Sequence, residues 1–403
     1  MKSRHNLIQI LSITKRELKI LFSSFSIFIL LFAAPVAYSF IYTCIFTTKL
    51  ERDVSVIVID NDHSGASRRL IRHLDAHELL KVDNGYTNVS DALISLQNLK
   101  GLALIIIPEN YEATIKTGKQ ARISISVNNT RFMITNDIIK AVNDVISDEM
   151  KNSTVSFFQK KGLTTEKALT GAAPVLLTTK TLFNTTESYG DFIIVGLLAL
   201  ILMELLLICT AVSMAHENEV NSFNELIHKV SGSVFRLFIG KSSVYFILFS
   251  IYAFFYFTFQ FQLYKIPFNG SMAALAILTL SEFIAVIPLG MLIGSYLPSK
   301  LSALIVLVFT SYPVFLLSGY SWPIEAMPDF LKICAYMLPQ TWFFQGYTIV
   351  TQGGGKLVDI MPHIVKIITI AAVTGLFFFI RMRFKARKKK EFSVHSNSII
   401  DIE

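Results

Sequence analysis

Six stretches of this chain are apolar over about the 20 residues that a helix needs to cross a bilayer. They fall at 22–46, 191–213, 242–264, 272–297, 301–319 and 364–381. The first, between Lys19 and Lys49, and the third, between Lys241 and Lys265, contain no charged residue. The second and fourth each hold one carboxylate well inside the apolar run, Glu204 and Glu282, and the sixth holds Lys366 near its outer end, where a long side chain can snorkel. A chain of 403 residues could make two or three soluble domains, but 52% apolar residues, 12% aromatic residues and a mean hydropathy of +0.52 point to a membrane protein. The apolar run after the basic N-terminus is longer than a signal-peptide core, so a retained first span is expected.

A seventh apolar segment, 331–350, raises the question of topology. Lys and Arg near span ends favour the cytoplasmic side. Lys2, Arg4, Lys15, Arg16 and Lys19 mark the N-terminus, and RFKARKKK at 383–390 marks the C-terminus. Both ends are therefore expected inside, which requires an even number of crossings. The 331–350 segment then enters the outer leaflet and returns, broken at Pro339. The expected fold class is a polytopic α-helical membrane protein with six transmembrane helices, a re-entrant outer segment and an inserted α/β extracytoplasmic domain. Its parts are an amphipathic interfacial helix over 1–21, a first span over 22–46, the external domain over 47–189, five further spans within 190–381, and a basic cytoplasmic tail over 382–403.

The net charge of +8 is concentrated at the cytoplasmic face, where anionic membrane lipid attracts it, and gives no reason to expect nucleic acid as a partner. Cys44, Cys209 and Cys334 lie far apart and form neither a disulfide framework nor a zinc motif.

Between the first two spans the composition changes. VSVIVID at 54–60, LALIIIP at 102–108 and ISISV at 123–127 read as strands, 65–80 and 88–99 as helices between the first two, and the whole as a small α/β layer. Ile134, Ile138, Val142, Val145, Ile146 and Met150 repeat at three and four residues, which predicts one long helix over 132–161. Asp60, Asp62 and His63 suggest a metal site, but the further oxygen ligands and late Glu of a calcium loop are missing. A capped turn into a helix accounts for them more simply.

AHENEVNSFNELIHKV at 215–230 follows the second span on the cytoplasmic side. As a helix it places Phe223, Leu226, Ile227 and Val230 on one side and Glu217, Asn221, Asn224 and His228 largely on the other. An apolar wedge beside acidic groups suits docking onto a soluble partner. In the N-terminal stretch, Leu7, Ile10, Leu11, Ile13, Leu18 and Leu21 form an apolar stripe beside Lys15, Arg16 and Lys19, expected to lie along the inner membrane surface.

These residues resemble the type-2 ABC exporter permeases, in the branch with a large external domain after the first span. Members carry an acidic pattern that begins Glu-x-Glu-x-Gly-Thr after the second span; here the segment holds Glu217, Glu219, Glu225 and Leu226, with Asn221 and Ser222 in place of Gly-Thr. LGMLIGS at 289–295, LSGYSWPIEAMP at 317–328, Pro339-x-Thr341, and in the inserted domain Asp60, Ser67-Arg68 and 104–108, extend the resemblance over nearly the whole chain. It implies a half-transporter in which two permease chains, alike or related, form the path, and separate ATPase subunits bind ATP and Mg beneath. The helix at 215–230 would be the coupling helix, with Glu217, Glu219 and Glu225 pairing basic residues of the ATPase and Phe223 with Leu226 as apolar anchor. Gly319, Trp322, Pro323, Pro328, Pro339 and Thr341, within 317–350, would form the re-entrant outer gate. The resemblance places the chain in the bacterial cytoplasmic (inner) membrane and allows a periplasmic adaptor and an outer-membrane channel as further partners.

No catalytic, cofactor or metal motif is present. IGKSS at 239–243 resembles the end of a Walker A loop, but Phe235 stands where the first glycine belongs, so ATP hydrolysis is expected in another polypeptide. Ionisable groups inside a span are functional candidates: Glu204 and Glu282 would meet a cationic substrate, carry a proton, or hold the bundle together as hydrogen-bonded neutral groups. A secondary transporter and a non-transporting receptor or scaffold are the rival readings. The substrate is not legible.

Overall fold

The computed structural model describes residues 2–23, 28–45, 52–117, 119–172 and 189–400. The chain divides into two compact units: residues 48–180, and residues 1–47 together with 181–403.

Helix α1 spans Lys2–Ser23, and after a π-helical turn over Ile29–Ala33 helix α2 spans Ala34–Ile45. The first expected span, 22–46, therefore lies partly outside the described residues.

The inserted unit runs β1 (Val54–Asp60), α3 (Gly65–Asp75), β2 (Leu80–Asp83), α4 (Val89–Gln97), β3 (Ala103–Ile107), α5 (Tyr111–Lys116), β4 (Ser124–Val127), α6 (Phe132–Lys160) and α7 (Thr165–Ala172). The sheet order is β2-β1-β3-β4; β1 pairs parallel with β2 and β3, and β4 closes the edge antiparallel to β3. Alternation along β1 feeds two cores, Val54, Val56 and Val58 joining α3 and α6 on one face, Ile57 and Ile59 joining α4 on the other. The helix expected over 65–80 ends at Asp75, because Leu80 turns into a strand in register with Val54. Ser64 caps α3 in a reciprocal box with Ser67, and Asp60 holds the turn before it: its Oδ1 accepts from the Asp62 and His63 amides at 3.0 and 3.1 Å and its Oδ2 from Ser67 Oγ at 2.7 Å. Among the described residues no His, Cys, Asp or Glu cluster could hold a metal. On α6, Ile138 and Val142 face inward, but Met150 is exposed; the inward place falls to Glu149, held by Arg69 Nε at 2.8 Å and His73 Nδ1 at 3.2 Å.

The chain continues with α8 (Tyr189–Glu219), α9 (Phe223–Lys229), α10 (Val234–Phe254, extended by a π-helical stretch to Gln260), α11 (Met272–Tyr296), α12 (Lys300–Leu317), α13 (Asp329–Met337), α14 (Pro339–Thr351) and α15 (Leu357–Ile400). Among the described residues five helices are long and apolar enough to cross a membrane, within 190–219, 234–263, 272–296, 300–317 and 357–386, and Leu31–Ile45 is a shorter apolar helix. The basic tail expected from 382 onward continues α15.

Two seams organise this unit. Tyr252 Oη donates to Leu31 O, Tyr256 Oη to Pro35 O, and Gln260 Nε2 to Ser39 Oγ, at 2.9, 2.6 and 2.8 Å. Each pair is 221 positions apart, so α10 and the 31–45 helix run parallel and in step. Pro35 has no N–H to offer the turn before it, and the Tyr252 hydroxyl donates to a carbonyl of that turn, Leu31 O. In the second seam α8 and α11 touch through backbone. A methyl at Gly290 would lie 2.1 Å from Thr210 Oγ1 and one at Gly294 2.1 Å from Ala211 O. The four-residue spacing of these glycines, within LGMLIGS, is the small-residue face by which membrane helices approach closely.

Candidate functional site

The acidic segment after α8 does not form one helix. Its first residues extend α8 to Glu219, the chain reverses through Asn221, and α9 starts at Phe223. Asn221 has φ 54°, a left-handed conformation that Gly adopts freely and Asn tolerates better than other side chains. Ser222 Oγ donates to Glu217 Oε2. The two departures from Gly-Thr thus perform what the positions require, a reversal and a hydroxyl.

Three consecutive residues then reach different elements. Glu217 accepts from both Arg16 terminal nitrogens, at 2.7 and 3.1 Å, and from Lys241 Nζ at 2.9 Å, joining α1 to α10. Asn218 Nδ2 donates to Leu297 O at 2.7 Å and to Gly294 O and Ser295 O at 3.2 Å, capping the carbonyl end of α11. Glu219 Oε2 accepts the Lys300 amide at 2.9 Å, at the start of α12, where a negative group also suits the helix dipole. From α15, Lys385 Nζ donates to Asn218 Oδ1 and lies 5.0 Å from the Phe223 ring.

Lys241 is the centre of this hub. Its ammonium lies between Glu217 and Glu17, 2.6 Å from Glu17 Oε2, and all three residues are at most 2% exposed. Glu17 Oε1 also accepts from Tyr245 Oη at 2.9 Å and from Ser213 Oγ. Arg16 and Lys241 balance Glu17 and Glu217, so no charge is left buried without an opposite. Burial opposes the Arg16 charge, but hydrogen bonding to Glu217 together with the negative charges of Glu217, Glu17 and Glu225 outweighs it and holds the guanidinium pKa above its usual value. Glycine and lysine in IGKSS are explained by packing: a methyl at Gly240 would meet Ile13 Cβ at 2.7 Å, and Lys241 fills the ionic centre.

Helix α1 is built for this place. Gln9, Ile13, Glu17 and Leu21, spaced by four, are its buried stripe, while Leu7, Leu11 and Leu18 of the expected apolar stripe face outward with Ile8 and Phe22. Hydrogen bonds from Arg236 to Asn6, Thr14 to Gly240 O, and Tyr245 to Glu17 show that α1 runs alongside α10 in the same direction.

Phe223 and Leu226, expected as the anchor in an ATPase groove, are 1% and 0% exposed within the chain's own core. Glu217 is likewise turned inward. The outward face of the turn and α9 consists of Val220, Asn221, Asn224, Glu225, His228 and Lys229. There the Glu225 carboxyl is held below its usual range by its hydrogen bond to Lys229.

The expected gate residues occupy two places. Trp322, Pro323 and Pro328 are exposed in the turn after α12, and Gly319, at φ 82°, makes that turn. Pro339 and Thr341 are buried at the break between α13 and α14, where Thr341 Oγ1 donates to Ala335 O at 2.6 Å and Trp342 Nε1 to Tyr336 O at 3.1 Å. The sequence reading missed Tyr320. Its ring stacks on Phe192 at 4.8 Å, its hydroxyl donates to Phe192 O at 2.5 Å, and a methyl at Gly196 would lie 1.9 Å from its ring. A glycine inside the most apolar helix was the available signal. Glu204 and Glu282 are both buried, each with carboxyl oxygen that has no hydrogen-bond partner.

Residues 25–380 match the family model described as "ABC-2 family transporter protein". The chain belongs to the ABC-2 transporter family. This ABC-2 chain is 26% identical over 203 residues to the "Probable multidrug ABC transporter permease YbhR" of Escherichia coli, a match covering 50% of the chain and 55% of that protein. In that comparison the chain spans about half the length of the curated relative it matches. With the "Linearmycin resistance permease protein LnrN" of Bacillus subtilis it shares 22% identity over 397 residues, 91% of the chain and 97% of that protein. In this ABC-2 protein the acidic residues 217 and 219 lie where α8 joins five other helices, with α9 as the part that faces out.

Proposed function

We propose that this chain is the permease subunit of an ATP-driven exporter in a bacterial cytoplasmic membrane, working as a pair of permease chains with separate ATPase subunits that bind ATP and Mg. The observation that carries this reading is the hub at 217–219. A displacement of the exposed turn and α9 acts through Glu217 on α1 and α10, through Asn218 on α11 and α15, and through Glu219 on α12. Such a junction converts force on one small surface into movement of several helices, which is what a subunit driven by an external motor requires.

The parallel, in-step packing of the 31–45 helix on α10 supports counting the first apolar stretch as a sixth crossing. The 48–180 unit is then extracytoplasmic, the termini are cytoplasmic, and an adaptor and outer-membrane channel are candidate partners for that unit. The 317–350 region acts as the outer gate.

The test is affinity purification of the detergent-solubilised chain from its native host, with soluble partners identified by mass. An ABC-type ATPase is expected to copurify, and Asn224→Trp with Glu225→Arg, on the exposed face of α9, is expected to release it while the permease stays folded. Absence of any ATPase after crosslinking would overturn the reading.

A further inference from the structure

Glu282 on α11 has no exposed surface, and neither carboxyl oxygen has a hydrogen-bond partner. A carboxyl that ties helices together needs a donor on a neighbouring helix, so a purely structural role fails on the geometry. Three residues earlier, on the same side of α11, the Thr279 hydroxyl is also buried without a partner. Other helical hydroxyls here bond back to their own helix, as Ser281 does to Ile277 O and Thr210 to Leu206 O.

A third orphan lies at the same height. α14 runs antiparallel to α11: the Asn269 amide donates to Thr351 O at 3.1 Å, and Gly346 lies against the Leu278 side chain. Counting inward from that crossing at 1.5 Å per residue, Glu282 lies about 6 Å and Gln340 about 9 Å deeper. Gln340 is buried, and its Oε1 has no partner. Measured from the start of α11, Glu282 is about 15 Å along the helix, near the middle of a hydrocarbon core about 30 Å thick. Four acceptor or hydroxyl oxygens thus lie unpartnered at mid-membrane depth, and among them is one carboxyl.

Lys366, expected near the outer end of its span, instead reaches a comparable depth nine residues into α15; its ammonium lies 3.6 Å from the centroid of the Trp342 ring, a cation–π contact, and neither Glu282 carboxyl oxygen pairs with it. Unpaired acids within a membrane mark substrate and ion pathways.

We propose that Glu282, with Thr279 and Gln340, holds the cationic nitrogen of an amphipathic substrate, so that the exported molecules include lipophilic organic cations. This rests on the permease reading above. The station is closed in this conformation and opens when α14 moves away from α11, a motion that the break at Leu338–Pro339 permits.

The test uses inside-out vesicles containing the chain and its ATPase, with the membrane potential clamped by valinomycin and potassium. ATP-dependent uptake of tetraphenylphosphonium is compared with that of an uncharged lipophilic dye. Glu282→Gln is expected to lower the ratio of cation to neutral uptake at least tenfold, and Glu282→Met to lower it as far while raising the thermal midpoint. An unchanged ratio, or equal loss of both probes with an unchanged midpoint, would overturn the proposal. So would Lys366→Met reproducing the same ratio change, since Glu282 would then serve Lys366 in another state. Wild-type vesicles that move the neutral dye but no cation also refute it, whereas vesicles that move neither refute the permease reading itself.

Discussion

Lys241 Nζ lies 2.6 Å from Glu17 Oε2, although 224 positions separate the two residues and both are buried. The contact makes the N-terminal helix part of the bundle. Removing one partner of a buried ion pair costs about 3–5 kcal/mol, most of it the penalty on the charge left behind. Lys241→Met leaves Glu17 and Glu217 facing each other and is expected to lower the thermal midpoint sharply in detergent. Lys241→Met with Glu17→Met is expected to recover part of that loss, a coupling that a double-mutant cycle measures directly.

At the α8–α11 seam the expectation is steric. Gly294→Ala sets a methyl against Ala211 O and Gly290→Ala sets one against Thr210 Oγ1, so each is expected to cost about 1–3 kcal/mol as the helices are forced apart. Gly375→Ala, on α15 with nothing within 4 Å of the added methyl, is the control and is expected to be neutral or stabilising. Thermal unfolding of the three variants in one detergent distinguishes them.

Asn221 stands at φ 54°. Asn221→Gly is expected to keep ATPase binding and ATP-driven uptake at the wild-type level. Asn221→Val, which forces a branched side chain into the left-handed region, is expected to cost about 1–2 kcal/mol and to weaken ATPase retention in a pull-down.

Tyr320→Phe keeps the ring on Phe192 but loses the hydrogen bond to its carbonyl, worth about 0.5–1.5 kcal/mol. Amide hydrogen exchange over 318–328 is expected to speed up by about two- to tenfold. Gly196→Ala, which drives a methyl into the Tyr320 ring, is expected to speed it further.

Long apolar runs and the break at Pro339 were legible because each leaves its mark within a single segment. The hub was not. Asn218 and Glu219 bind main-chain groups of Leu297 and Lys300, about 80 positions away, and a backbone carbonyl or amide has no sequence signature. Phe223 and Leu226 show why amphipathic spacing alone misleads: it identifies an apolar face but not whether that face meets lipid, a partner or the chain's own core. In α1 a clue was present. Glu17 lies four residues from both Ile13 and Leu21, so an acid occupied the inward stripe of a helix whose outward side is largely apolar. Strand β2 escaped notice because four residues carry too little alternation to outweigh the helix before them.

The glycine contacts between α8 and α11 have a mechanical meaning. Helices whose main chains touch through notches at Gly290 and Gly294 cannot slide past one another without first separating. They behave as a single beam. Glu204 on one helix and Glu282 on the other are therefore expected to keep a fixed spacing, like two marks on one ruler.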